Sequence, residues 1–171
     1  MYESAPRRTE LRKFAVTLRD APTWPVKEVP FELERAIFYS AVVLRKLIED
    51  RKLTDSFAAE KLRVRVHAAN APEKSSWWRN MPGSVEFDWQ NASVTDVAVN
   101  ELCSQIVHLF GRYWWVDEDD ELSGMVVCSH RHQDRQGFHI GFIMWAGLLE
   151  KAAKDWPTQR TIHAGGEHKV E

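Results

Sequence analysis

The stretch that decides the fold runs from residue 112 to 144, RYWWVDEDDELSGMVVCSHRHQDRQGFHIGFIM. Three apolar runs, Arg112 to Asp117, Gly124 to Arg131 and Gly137 to Met144, are separated by two polar turns, EDDELS and QDRQ. Short runs rich in β-branched and aromatic residues, bounded by turn chemistry, predict strands. Connections of this length cannot hold a crossover helix, so the three strands form an antiparallel meander. Neighbouring Trp114 and Trp115 project to opposite sides of their strand, which predicts that both faces of the sheet are covered.

Working outward, Trp145 to Trp156 reads as an amphipathic helix stopped by Pro157. Residues 158–171, with Gly165-Gly166 and polar neighbours, are expected to be a disordered tail. Upstream, Ser93 and Asp96 make a capping-box-like start for a helix whose apolar face is Val99, Leu102, Cys103, Ile106 and Phe110, with Gly111 placed to end it. Two earlier strands are expected. Lys61 to His67 alternates Leu62, Val64 and Val66 against Arg63, Arg65 and His67, and Ser84 to Trp89 turns Val85, Phe87 and Trp89 inward. Between them lies the longest loop, residues 69–83.

A further helix opens at Pro30, with Glu32 and Glu34 near its positive end and Arg51 and Lys52 near its negative one. Leu33, Ile37, Ala41, Leu44 and Ile48 form its stripe, and the uncharged run from Ala36 to Leu44 predicts burial on most sides. Thr9 to Arg19 is a shorter helix, and Thr54 to Glu60 adds a turn. Helices and strands thus mix without a regular βαβ rhythm. The expected fold is α+β: an antiparallel sheet of the C-terminal meander plus two earlier strands, packed against two or three main helices. Residues 1–157 form one domain in this reading.

Composition narrows the function classes. At 171 residues the chain suits one domain able to bury about 70% of its extended surface, so its core needs no metal or disulfide staple. Lys+Arg of 23 against Asp+Glu of 25 leaves a net charge of -2, which disfavours nucleic acid as a partner unless a local patch binds it. Two cysteines make no disulfide framework, residues 1–14 lack a signal-like apolar segment, and no apolar run reaches membrane-spanning length. A cytoplasmic chain without membrane contact is expected, and no motif calls for a cofactor. Glycine-rich nucleotide loops, a nucleophile elbow and an EF-hand are absent, the acidic run Asp117 to Glu121 included. Eight tryptophans are unusual; they read as core and rim packing, or as a ligand-stacking platform.

Three sets of residues can carry chemistry. Cys128, His130 and His132 share one face if they lie on one strand, and a turn centred between Asp134 and Arg135 sets His139 opposite His130. Cys128, His130 and His139 would then converge as zinc donors do, against the alternative of a solvated hairpin end. Asn100, Ser104 and His108 follow at i, i+4 and i+8 along one helix, with Glu101 beside them. That strip suits acid–base work or ligand binding; the structural alternative is a half-buried imidazole bonded to a strand carbonyl. Finally, Trp77 and Trp78 with Lys74 and Arg79 in the long loop can stack on a ligand or close as a lid, and Arg131 is a further candidate ligand contact.

The segments Phe38 to Glu49 and Leu102 to His108 resemble a group of uncharacterised bacterial proteins and also resemble HEPN domains, helical modules some of which are metal-independent ribonucleases. That resemblance implies a role for His108. Active HEPN domains place Arg, a polar residue and then His on one helix, whereas here Ser104 stands where Asn is expected and no Arg precedes it. Two function classes follow: a non-catalytic binding or accessory protein, with a protein partner or self-association, or a ribonuclease or other hydrolase using His108 with His and Arg from the 128–139 hairpin. A concave pocket collecting at least two of His108, His130, His132, His139 and Arg131 would favour the enzyme, and an exposed apolar patch the binding protein.

Overall fold

The structure, a computed structural model, describes residues 4–25, 29–70, 86–158, 160–162 and 168–171. The meander is β3 (Leu109–Val116), β4 (Leu122–Ser129) and β5 (Gln136–Gly141), each pair antiparallel. Strand β1 (Lys61–Ala68) joins the free edge of β5, and β2 (Ser93–Ala98) pairs with β1. The order β2-β1-β5-β4-β3 makes a five-stranded, wholly antiparallel sheet. Four principal helices accompany it: α1 (Ala5–Arg19), α2 (Phe31–Glu49), α4 (Val99–Val107) and α5 (Phe142–Lys154); α3 (Asp55–Ala58) is a single turn. The chain is therefore α+β. No helix among the described residues is long and apolar enough to cross a membrane.

The main core lies between one face of the sheet and the helices. Val64, Val66, Met125, Val127, Phe138 and Ile140 share it with Leu33, Ile37 and Leu44 of α2, Leu102 and Ile106 of α4, and Trp145 of α5. Trp145 is fully buried, and its indole N–H donates to Ser40 Oγ at 2.9 Å while Ser40 donates to the Ile37 carbonyl at 2.9 Å. The polar edge of the largest core side chain is thereby satisfied, and its apolar body contributes fully to the core. Helix α1 packs on α5 and α2. Its Arg8 is buried and donates to the carbonyls of Ala152 (2.7 Å), Asp155 (2.5 Å) and Lys52 (2.5 Å), with the Trp156 ring over its guanidinium. A cation at the C-terminal end of α5 meets the negative pole of that helix, which offsets the cost of burying it.

Trp114 and Trp115 divide as the alternation requires. Trp114 packs on the helix-side core near Phe142, and Trp115 joins the opposite face.

Several expectations change. Ser93 does not cap a helix: residues 93–98 are β2, in register from Lys61↔Ala98 to Val66↔Ser93, and α4 begins at Val99. The β-branched run Val94, Thr95 and Val97 favours the strand, and pairing with β1 overrides the Ser-x-x-Asp signal. Phe110 and Gly111 lie in β3, where the register shifts between Leu109 and Gly111, so α4 ends at Val107. Of the strand expected at Ser84 to Trp89, residues 84–85 lie outside the described residues, and Phe87 makes one isolated bridge to Ala69. The closing helix is shifted earlier, to Phe142–Lys154. Within 158–171, expected as a tail, Arg160–Ile162 (β6) and His168–Val170 (β7) pair antiparallel, and the Val170 N–H donates to Asp55 Oδ2 at 2.9 Å.

The uncharged run of α2 is not buried on all sides. Ile37, Ala41 and Leu44 are, but Phe38, Tyr39 and Val42 are exposed. A helix on the outside of a two-layer fold buries one stripe; lack of charge does not by itself widen that stripe.

Candidate functional site

The turn between β4 and β5 shapes the first candidate site. Strand β4 ends at Ser129, and residues 130–135 form a six-residue connection closed by His132 N–H to the Ser129 carbonyl (2.9 Å) and Arg135 N–H to the His132 carbonyl (2.9 Å). The register moves accordingly. His139 faces Val126 and Gly141 faces Gly124, four residues from the pairing expected with His130 and Cys128. Cys128, His130 and His139 do not converge: His130 sits in the turn with His132, while Cys128 belongs to the small cluster on the opposite sheet face. Among the described residues no group of three or more His, Cys, Asp or Glu is placed to hold a metal ion.

The same turn faces α4 across a cleft of about 630 Å³, lined by Glu101, Ser104, Gln105, His108, Ser129, His130, Arg131 and His132. Gln105 organises it. Its Oε1 accepts the Ser129 N–H at 2.8 Å, so its Nε2 is the donor end, giving one hydrogen to Glu101 Oε1 (2.6 Å) and the other to His132 Nδ1 (2.9 Å). His132 Nδ1 must therefore accept, and neutral His132 carries its proton on Nε2, the ring edge away from Gln105. Ser129 Oγ stands 3.3 Å from the same Nδ1.

His108, the C-cap of α4, is exposed, and its Nε2 lies 3.3 Å from Arg45 Nη1. A guanidinium only donates, so this nitrogen accepts and neutral His108 carries its proton on Nδ1. The structural role expected of His108, a half-buried imidazole on a strand carbonyl, gives way to an exposed ring on a neighbouring arginine. Ser104 Oγ donates to the Asn100 carbonyl at 3.0 Å, so its hydrogen is committed within the helix. Ser104 and His108 line the cleft and Asn100 does not.

Beside this cleft the exposed side of α2 borders a groove of about 310 Å³. Phe31 is 70% exposed, Tyr39 50% and Phe38 41%, and Leu109 continues the apolar rim from β3. Ile37, Ile106, Met125 and Val127 also line it. Three charged residues, Glu34, Arg35 and Arg112, line it as well, and Arg112 pairs with Glu34 at 2.7 Å. Leu109 follows His108 directly, so groove and cleft adjoin.

A third region lies on the sheet face away from the helices. Phe87, Val126 and Cys128 are buried there, with Tyr113 and Trp115 packed against them. The rings of His67, Trp89, Trp115 and His139 cluster with them; Trp115 and His139 approach to 4.6 Å. Burial, reinforced by Arg65 and His67, pushes the His139 imidazole down to about 4, so it is neutral at pH 7. His67 is buried, and its Nδ1–H donates to the Asp88 carbonyl at 3.1 Å.

Cys103 and Cys128 are buried free thiols, both raised by desolvation, Cys103 to about 12, so neither is poised as a thiolate nucleophile. Trp77, Trp78, Arg79 and Lys74 lie outside the described residues. Sequence reasoning missed Gln105 and Arg45 as site residues. Gln105 did carry a signal: it stands three residues after Leu102 inside an apolar stripe and is itself buried. Arg45 carried none, because its contact with His108 spans 63 residues. Comparison with protein-family models, curated proteins and solved structures finds no match.

Proposed function

We propose that this chain is a soluble bacterial cytoplasmic domain acting as a non-catalytic binding or accessory protein, with the exposed side of α2 as its docking face. The observation that carries the reading is the gathering of four exposed apolar side chains, Phe31, Phe38, Tyr39 and Leu109, around one mostly apolar groove. Large aromatic side chains held in water at this density are the mark of a protein contact surface. The partner is a second copy or another protein; the net charge of -2 gives no general attraction to nucleic acid.

A photo-crosslinking residue in place of Val42, on this face, tests the reading, with Val94 on β2 as the exposed control. A discrete adduct from position 42 that Phe31→Asp abolishes is expected. Identical labelling from both positions, or none from either, sinks the proposal.

A second reading, a HEPN-like ribonuclease or other hydrolase, is favoured by the cleft that gathers His108, His130, Arg131 and His132, with Arg45 at the His108 ring. The hydrogen bonds weigh against it. His132 Nδ1 is occupied by Gln105, His108 Nε2 faces an arginine, and the Ser104 hydroxyl donates its hydrogen bond to a backbone carbonyl. A general base needs a lone pair within reach of the proton it removes. Turnover of RNA or ester probes that His108→Ala abolishes, with an unchanged melt, would establish this second reading.

A further inference from the structure

We propose that the cleft between α4 and the 130–135 turn binds a phosphate monoester in its protonated, singly charged form. The inference is independent of the docking face on α2 and treats the cleft as a binding site. Four of its side chains, His108, His130, Arg131 and His132, carry N–H donors. Gln105 and Ser129 leave His132 with its proton on Nε2, Arg45 leaves His108 with its proton on Nδ1, and Arg131 brings a guanidinium. N–H donors gathered around one concave space complement an oxyanion, and a guanidinium with imidazole N–H groups in the same lining suits the several oxygens of a phosphate.

The single carboxylate in the lining sharpens the chemistry. Glu101 is held through Oε1 by Gln105, which leaves Oε2 as an acceptor among donors. A sulfate or a fully ionised phosphate has no hydrogen to give it and would be repelled. A phosphate monoester that keeps one P–OH donates that hydrogen to Glu101 while its other oxygens accept from Arg131 and the imidazoles. The cleft, at about 630 Å³, is far larger than a phosphate group, so the ester's organic part has room.

Phenyl phosphate and phenyl sulfate are the probes, titrated at constant ionic strength so that general screening is the same for both. Binding is followed by the ring signals of His108, His130 and His132 in nitrogen-15 NMR spectra, which also report the tautomers. Saturable binding of phenyl phosphate is expected, at least tenfold tighter than phenyl sulfate, with His132 in its Nε2–H form. Arg131→Gln, an exposed substitution, should weaken phenyl phosphate at least tenfold. Glu101→Gln should erase the preference, because an amide can donate to sulfate. Phe38→Ala, which adds no charge, should leave the affinity unchanged, which separates this site from the face on α2. Equal affinity for the two probes, a linear response without saturation, indifference to Arg131→Gln, or an Nδ1–H tautomer at His132 would each overturn the proposal.

Discussion

The two faces of the sheet are built from the same strands and solve burial differently. The helix side is mostly aliphatic and closed by helices, and its fully buried indole, Trp145, has a partner for its N–H. The opposite face is small, aromatic and rich in imidazole, and the segment around Phe87 and Trp89 lies over part of it. It depends on a glycine: a Cβ at Gly137 would stand 2.8 Å from both Phe87 Cζ and Val126 Cγ1. The difference teaches where stability and where pH sensitivity reside. Apolar area concentrates under the helices, whereas the imidazoles of His67 and His139 pack among aromatic rings on the face they leave.

The largest test of that contrast is Trp145→Ala. Loss of a fully buried indole and its hydrogen bond should cost about 3–5 kcal/mol in a urea melt. A loss under about 1 kcal/mol would show that the helix layer is not the principal core.

On the other face, Gly137→Ala should cost about 1–3 kcal/mol by overpacking against Phe87. Combining it with Phe87→Leu should recover part of that loss, since the two changes share one space. Strict additivity in the double-mutant cycle would mean that Phe87 does not seat on this glycine.

His139 provides the pH test. Its folded value, about 4, lies below the ordinary value of 6.5, so the unfolded chain binds more protons between them. The contribution is present above about pH 6.5 and is lost as pH falls toward 4. Because the ring is not fully buried, solvent screening reduces the effect to about 1–2 kcal/mol. Urea melts of the native chain and His139→Gln should differ in slope across that window, and parallel curves would contradict the burial of this imidazole.

The smallest effect belongs to Arg65→Gln, which removes an exposed cation but leaves the desolvation of His139 in place. The melt should move by less than about 0.5 kcal/mol, while the His139 midpoint in an NMR titration rises. A midpoint that stays put would show that Arg65 does not act on the ring.

How much of this was legible beforehand varied with the range of the interaction. The meander, the α+β class, the division of Trp114 from Trp115 and the buried stripe of α2 each rest on alternation or helical period. Such patterns reflect contacts with a layer, whatever that layer is made of. The segment at Ser93 was misread because a capping signal and a strand signal overlap there. A partner strand, Lys61 to Ala68, decides between them. The hairpin register was misplaced because polar residues at 130–135 do not say how many belong to the turn. A shift of four residues set His139 opposite Val126 and left His130 and His132 in the turn, away from Cys128.

By itself the sequence determined the α+β class and the three-stranded meander, because period and side-chain type are local properties of the chain. Only the tertiary structure decided which of the candidate residues meet. It gathered His108, His130, Arg131 and His132 around a buried glutamine, sent Cys128 and His139 to the other face of the sheet, and left one side of α2 in water. Hydrogen bonds between residues tens of positions apart, such as Gln105 to His132 and Arg45 to His108, set the imidazole tautomers. No periodicity encodes them, since each depends on the distance between two separate elements once both have packed on the same core.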